Sequence, residues 1–213
     1  NVVKQLLFFA RKTEIKKVPL KINILVRNAL KLVRATLPST IAVHTYISKR
    51  TGTVYADPTQ INQVLLNLCT NAAHAMEEKG GTIKIHLSDI ALDEVSAMEY
   101  ENLIPGRYVQ LTVSDTGHGI KAEHKKQLFK PYFTTKPVDK GTGLGLAVIH
   151  GIVKGLGGEI LVECKSEIGT TFKILFPQTE KEPVLQKIKV VSKEPPQIET
   201  ARILLIDDEV SVL

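Results

Sequence analysis

Three helix-like stretches are each followed by two strand-like stretches, and this order limits the fold more than any other feature. In "LKINILVRNALKLVRATL" (residues 20–37), apolar side chains fall at 22, 25, 26, 29, 30, 32, 33 and 37, which predicts an amphipathic helix closed by Pro38. "IAVHTYIS" and "GTVYA" follow as strands. Asp57-Pro58 is a helix start, with Asp57 as N-cap and Pro58 in the first turn, and this helix runs to Gly80-Gly81. "TIKIHLSDIAL" and "RYVQLTVSD" alternate apolar with polar residues and suit antiparallel neighbours separated by a polar loop at 93–106. The glycine-opened helix "GLGLAVIHGIVKGLG" precedes the strands "EILVECK" and "TTFKILFP". The expected fold is an α/β two-layer sandwich: a mixed, mostly antiparallel sheet with three helices on one face.

Outside this pattern, residues 1–17 read as the end of a helix, with Val3, Leu6, Leu7 and Ala10 at helical spacing and Pro19 ending it. Residues 116–142 are rich in Gly, Lys and Pro and read as a long loop with a short helix around 122–129; a loop of that length in a compact domain is functional or mobile. Residues 178–200, rich in Lys, Glu and Pro, read as a linker, and "ARILLIDDEV" as a buried-type strand ending in acids. A chain that opens at Asn1 without Met and stops at "IDDEVSVL" reads as a piece of a longer one.

The net charge of +6, from 28 basic and 22 acidic residues, raises the question of a nucleic-acid partner. An aromatic content of 5%, no Trp and no recognised binding pattern argue against one. The lysines between Lys121 and Lys140 instead flank glycine-rich sequence, which suits a polyphosphate ligand. No apolar run approaches the ~20 residues that span a bilayer, so no membrane contact is expected. Cys69 and Cys164, without a CxxC pair, suit a reducing, cytoplasmic setting and no structural metal.

Four motifs carry candidate chemistry. Asn67 and Asn71, one turn apart in "LLNLCTNAAHAM", are mediocre helix formers on an apolar helix and need solvent or a partner. "VSDTGHGI" puts Asp115 where a strand runs out, followed by Gly117 and Gly119; a carboxylate there can accept from an exocyclic amine while glycines let a flat ligand approach the backbone. "GTGLGL" opens a helix with Gly141, Gly143 and Gly145, whose free N–H groups make an anion site. It is neither a Walker loop nor a dinucleotide fingerprint, because no Gly-Lys-Ser/Thr follows and position 146 is Leu. "FKPYFTTK" adds Phe129 and Phe133 as anchors, two hydroxyls, and Lys136 to neutralise a terminal phosphate.

N-x-x-x-N on a helix, D-x-G-x-G, F-x-P-x-F-T-T-K and G-x-G-L-G-L, in this order, resemble the N, G1, F and G2 boxes of sensor histidine kinases. These belong to the ATPase superfamily that includes gyrase and mismatch-repair ATPases, and the likeness covers roughly residues 20–177. It implies a Bergerat-type ATP-binding sandwich with a mobile lid, using ATP and Mg²⁺. By that resemblance Asn71 is the metal ligand and Asn67 orients the triphosphate, with Asn67 and Lys136 counted as catalytic. Asp115 binds the adenine amine, while Gly117, Gly119 and Ile120 shape the base pocket. Gly141, Thr142, Gly143, Leu144, Gly145 and Leu146 wrap the phosphates; Phe133, Thr134, Thr135 and Lys136 close the lid; His74 lies near the phosphates.

The ends carry the same likeness. Residues 1–17 resemble the end of a dimerisation and phosphoacceptor helix, 18–177 the catalytic domain, and 201–213 the start of a receiver domain, with Asp207 and Asp208 as its acidic pair. The resemblance implies transfer of the ATP γ-phosphate to a histidine on a dimerisation domain, in a homodimer, and relay to a receiver domain or response regulator. None of His44, His74, His86, His118, His124 and His150 sits in the family's acceptor context, a histidine followed by an acid and then Asn-Pro. The fragment is therefore expected not to phosphorylate itself.

Overall fold

The computed structural model describes residues 16–135, 142–165 and 168–181. Its elements in chain order are strand β1 (Val18–Lys21), helix α1 (Ile22–Thr36), β2 (Ile41–Ile47), β3 (Thr53–Ala56), α2 (Pro58–Ala75), β4 (Gly81–Leu92), the one-turn helix α3 (Glu94–Ala97), β5 (Gly106–Asp115), a 3₁₀ helix (Ala122–Gln127), α4 (Gly145–Gly155), β6 (Glu159–Lys165) and β7 (Gly169–Thr179). The two-layer sandwich is present. α1 packs on α2 and α2 on α4, and together they cover one face of the sheet.

Strand neighbours run β1-β3-β7-β5-β4-β2, with β6 also on β7. Among the described residues β2 and β4 form the parallel pair, and the remaining pairings are antiparallel. Register explains the core: Leu87 lies opposite Leu111, Leu111 opposite Ile174, and Ile174 opposite Ile160. Alternation then sends Ile83 and Ile85, Val109 and Val113, and Phe172 and Phe176 to the same helix-covered face, where all are buried. α2 answers with Ile61, Val64, Leu65, Leu68, Cys69 and Ala72.

Among the described residues β2 is an edge strand, and two arginines of α1 reach its open side. Arg27 Nη2 donates to the Ile47 carbonyl at 2.6 Å, and Arg34 Nη2 to the Val43 carbonyl at 2.9 Å. Charged side chains on an edge strand's carbonyls block pairing with another chain.

Three expectations are corrected. Residues 16 and 17 are not helical, and Pro19 lies inside β1; that strand pairs only with β3 among the described residues, and an edge strand tolerates a residue without an N–H. β7 runs through Thr179, so residues 178 and 179, expected in the linker, pair with Val54 and Thr53. The polar loop at 93–106 contains α3, capped by Asp93, whose side chain accepts from Ser96 N–H at 2.8 Å. It closes a second core of Leu92, Ala97, Leu103, Tyr108 and Leu175 on the sheet face away from the three long helices. The helix end expected at 1–15, the rest of the linker and the receiver-like strand lie outside the described residues.

Asp57 caps α2 and holds the incoming chain. Its Oδ1 accepts from Thr59 N–H at 2.8 Å and Thr59 hydroxyl at 2.6 Å, and its Oδ2 from Lys16 N–H at 3.0 Å. Burial pushes this carboxyl up, but the hydrogen bonds from Thr59 and Lys16 outweigh it and hold the group below its ordinary 3.8. Asp57→Ala is expected to cost about 1–2 kcal/mol of stability at pH 7, read from urea denaturation. A depressed carboxyl stabilises fully above its unfolded value and loses that contribution as pH falls through its folded value. The gap between the unaltered chain and Asp57→Asn should therefore stay constant above about pH 5 and shrink below about pH 4. A gap independent of pH over that range would remove the ionised cap.

Candidate nucleotide site

With the apolar stripe of α2 turned to the sheet, Asn67, Asn71 and Ala75 fall half-buried along the side that meets α4. Asn67 Nδ2 donates to the Gly145 carbonyl at 3.5 Å, a long contact. A Cβ added to Gly145 would stand 3.9 Å from both Asn67 Cγ and Asn71 Nδ2. Both amides thus look onto the first residue of α4. Leu144 is the N-cap of that helix and gives no side-chain cap, so among the described residues the first-turn N–H groups have no capping acceptor and are open to one from outside.

The strand-end carboxylate comes to the same region from the sheet. Asp115 Oδ1 accepts from Gly117 N–H at 2.9 Å and from Thr170 N–H at 3.2 Å. No hydrogen bond from the described residues is given to Oδ2, which is the oxygen left for a donor from outside. Burial pushes the Asp115 carboxyl up, against the lowering effect of the Gly117 and Thr170 amides and of His118. A half-buried carboxylate so poorly compensated gains from one more donor.

The loop after Asp115 rests on the end of α2. His118 N–H donates to the Ala75 carbonyl at 3.1 Å. A Cβ on Gly117 would lie 2.6 Å from Ala75 Cβ and 2.7 Å from its carbonyl oxygen. The side of Gly117 on which a Cβ would stand is thus occupied by the end of the helix that carries Asn71 one turn earlier.

The remaining candidates distribute around this centre. Ile120, Phe133 and Leu146 pack against the core, Gly119 is buried, and Thr142, Gly143 and Leu144 lead half-buried into α4. His74 is on the exposed side of the last turn of α2, and Thr134 and Thr135 are exposed. Lys136 and Gly141 lie outside the described residues. Sequence reading missed Thr170 and Ala75; their roles come from the β5–β7 register and from helix-to-loop packing, for which no local signal exists. Cys69 and Cys164 are both free, and burial pushes the Cys69 thiol up to about 12, which keeps it inert.

Comparison with known proteins decides the family. The model for histidine kinase-, DNA gyrase B-, and HSP90-like ATPases matches residues 56–180. The chain belongs to this ATPase family. The sensor kinase CckA of Brucella abortus is 36% identical over 220 residues, which cover 100% of this chain and 23% of CckA. The chain therefore spans about a quarter of that curated relative. The catalytic domain of the histidine kinase ThkA, solved nucleotide-free, is 30% identical with a TM-score of 0.61, over 77% of this chain and 97% of that one. Full-length ShkA in complex with AMPPNP is 25% identical with a TM-score of 0.64, over 84% of this chain and 36% of that one. The match begins beside the N-cap of α2 and ends just past β7, so it contains both asparagines, Asp115 and α4. No helix among the described residues is long and apolar enough to cross a membrane.

If Gly117 serves helix packing, its replacement is felt without any ligand. Gly117→Ala is expected to cost about 1–3 kcal/mol, seen as an earlier thermal unfolding of the nucleotide-free protein. Unchanged unfolding with weakened nucleotide binding would return Gly117 to the ligand.

Proposed function

We propose that this chain is the ATP-binding catalytic domain of a two-component sensor histidine kinase, which presents the γ-phosphate of Mg-ATP to a histidine on a separate dimerisation domain. The observation that carries the reading is the convergence on one region of three groups with different tasks. Asp115 Oδ2 suits the adenine amine, the uncapped start of α4 suits the phosphates, and Asn67 and Asn71 stand beside that helix start. Relatives named as sensor kinases support it, as does the AMPPNP complex of ShkA.

The donor set fits magnesium. The described residues hold no cluster of three or more His, Cys, Asp or Glu that could cage a metal ion. Mg²⁺ is commonly bound by one or two protein oxygens together with substrate phosphates and water, and Asn71 supplies a neutral oxygen of that kind. When bound, the ion neutralises charge on the phosphates. Catalysis by this chain's own residues is positioning: the adenine is fixed at Asp115, the phosphate chain is held along the start of α4, and Asn67 orients the triphosphate. Asn67 is also a poor general base, because a carboxamide does not take a proton from water. That disfavours a hydrolase of the same fold, in which a carboxylate activates water. Lys136, Thr134 and Thr135 are proposed to close over the triphosphate. The phosphate is then relayed from the histidine to a receiver domain or response regulator.

Asp115→Asn is expected to weaken adenine-nucleotide binding by about 1.5–3 kcal/mol and to leave inorganic triphosphate binding nearly unchanged, measured by titration calorimetry. Equal losses for both ligands would take Asp115 out of the base pocket. Asn71→Ala should abolish the magnesium dependence of ATP binding; a dependence that survives removes the metal assignment. With γ-labelled ATP the chain alone should acquire no acid-labile phosphate, and label should appear on an added dimerisation domain bearing its own histidine. Magnesium-dependent binding without transfer would make the chain a nucleotide-binding scaffold.

A further inference from the structure

Between the Asp115 loop and the start of α4, residues 122–133 fold back onto the body of the domain. Lys130 N–H donates to the Gln127 carbonyl at 2.9 Å and Phe133 N–H to the Lys130 carbonyl at 3.3 Å, and the His124 and Phe133 rings meet at 5.6 Å. Leu128 is buried, and Phe129 and Phe133 pack against the core. Two contacts set where this segment lies on α4. The Phe129 ring stacks on the imidazole of His150, in the middle of α4, with centroids 5.0 Å apart and planes at 29°. Tyr132 lies over Gly143: a Cβ added there would stand 2.4 Å from the Tyr132 carbonyl carbon, and Gly143 itself has φ +65°. Tyr132 is held at φ 67°, which a bulky residue adopts only when its surroundings impose it.

We infer that His150 is a positioning residue for the lid: its ring, through Phe129, holds residues 122–133 on α4 and so sets where the chain leaves toward Thr134 and Thr135. His150 lies about one and a half turns into the helix whose first residues face Asn67 and Asn71, so it acts on the nucleotide only through Phe129 and the segment that Phe129 carries. The consequence for nucleotide affinity rests on the proposed ATP-binding function; the holding of the lid segment does not.

Two measurements on the full chain separate these levels. Trypsin cuts after Lys125 and Lys126 in the held segment and after Lys49 and Arg50 in the β2–β3 turn, all exposed. His150→Ala should raise the rate of nicking at Lys125 and Lys126 about fivefold to tenfold, as expected for loss of one aromatic stack, with Lys49 and Arg50 unchanged and without need of nucleotide. His150→Phe, which keeps a ring against Phe129, should restore the original rate. Unchanged nicking in His150→Ala, equal acceleration at all four sites, or no rescue by His150→Phe would each overturn the inference. In calorimetry, His150→Ala should lose about fivefold to tenfold in ATP affinity while adenosine affinity is kept. Equal losses for both ligands would make His150 a merely structural residue. If the unaltered chain binds no ATP, the proposed function falls, and the nicking rates still decide the role of His150.

Discussion

Everything in the candidate site depends on the rotation of α2 about its own axis. Burial of Ile61, Val64, Leu65, Leu68, Cys69 and Ala72 against the sheet leaves one orientation for the helix, and in that orientation Asn67, Asn71 and Ala75 lie along its border with α4. These positions meet two different parts of the chain. Asn67 and Asn71 meet the first residue of α4, and Ala75 meets the loop that follows Asp115. A single apolar stripe thereby brings together the end of a strand and the start of a helix. Asp57 holds the near end of α2 through its cap and ties the entering chain to it at Lys16.

Asp115 shows how the fold leaves a polar group incomplete at one atom. One carboxylate oxygen is occupied by two backbone amides from different elements, which fixes the side chain, while the other is left to an outside donor. Burial raises this carboxyl in spite of the two amides. By contrast the Lys154–Glu159 pair, 2.6 Å apart and flanked by Asn102, is satisfied within the protein, and its hydrogen bonds hold the Glu159 carboxyl below its ordinary value against the upward push of burial. It ties the end of α4 to β6 and to the segment after α3, a role in the fold and not in the site.

The face of the sheet opposite the three long helices carries its own cover. Tyr108 and Leu175 lie on that face by strand alternation, and Leu92, Ala97 and Leu103 close over them. β7 serves several partners at once. Its first part lies between β5 and β6, and its last two residues pair with β3, which in turn pairs with β1. β1 and β7 therefore flank β3 and run parallel to each other, with Lys21 and Thr179 both opposite Thr53.

Much was legible in the sequence because it was local. Apolar spacing marked α1, Asp57-Pro58 marked the start of α2, a glycine run marked the opening of α4, and alternation marked β4 and β5, since helix and strand periods and caps are set by residues a few positions apart. The four family boxes are local patterns as well, so the family is legible in the sequence. What only the tertiary structure decided spans long separations: that β2 runs parallel to β4 at an edge, that Thr170 braces Asp115 from 55 residues away, and that Asn67 faces Gly145 across 78. The same holds for the space beside Gly117, which a glycine leaves open in any sequence and which packing here fills with Ala75. Local patterns specify which groups a segment can offer; the packed core determines which of them are used up within the protein and which remain for a ligand.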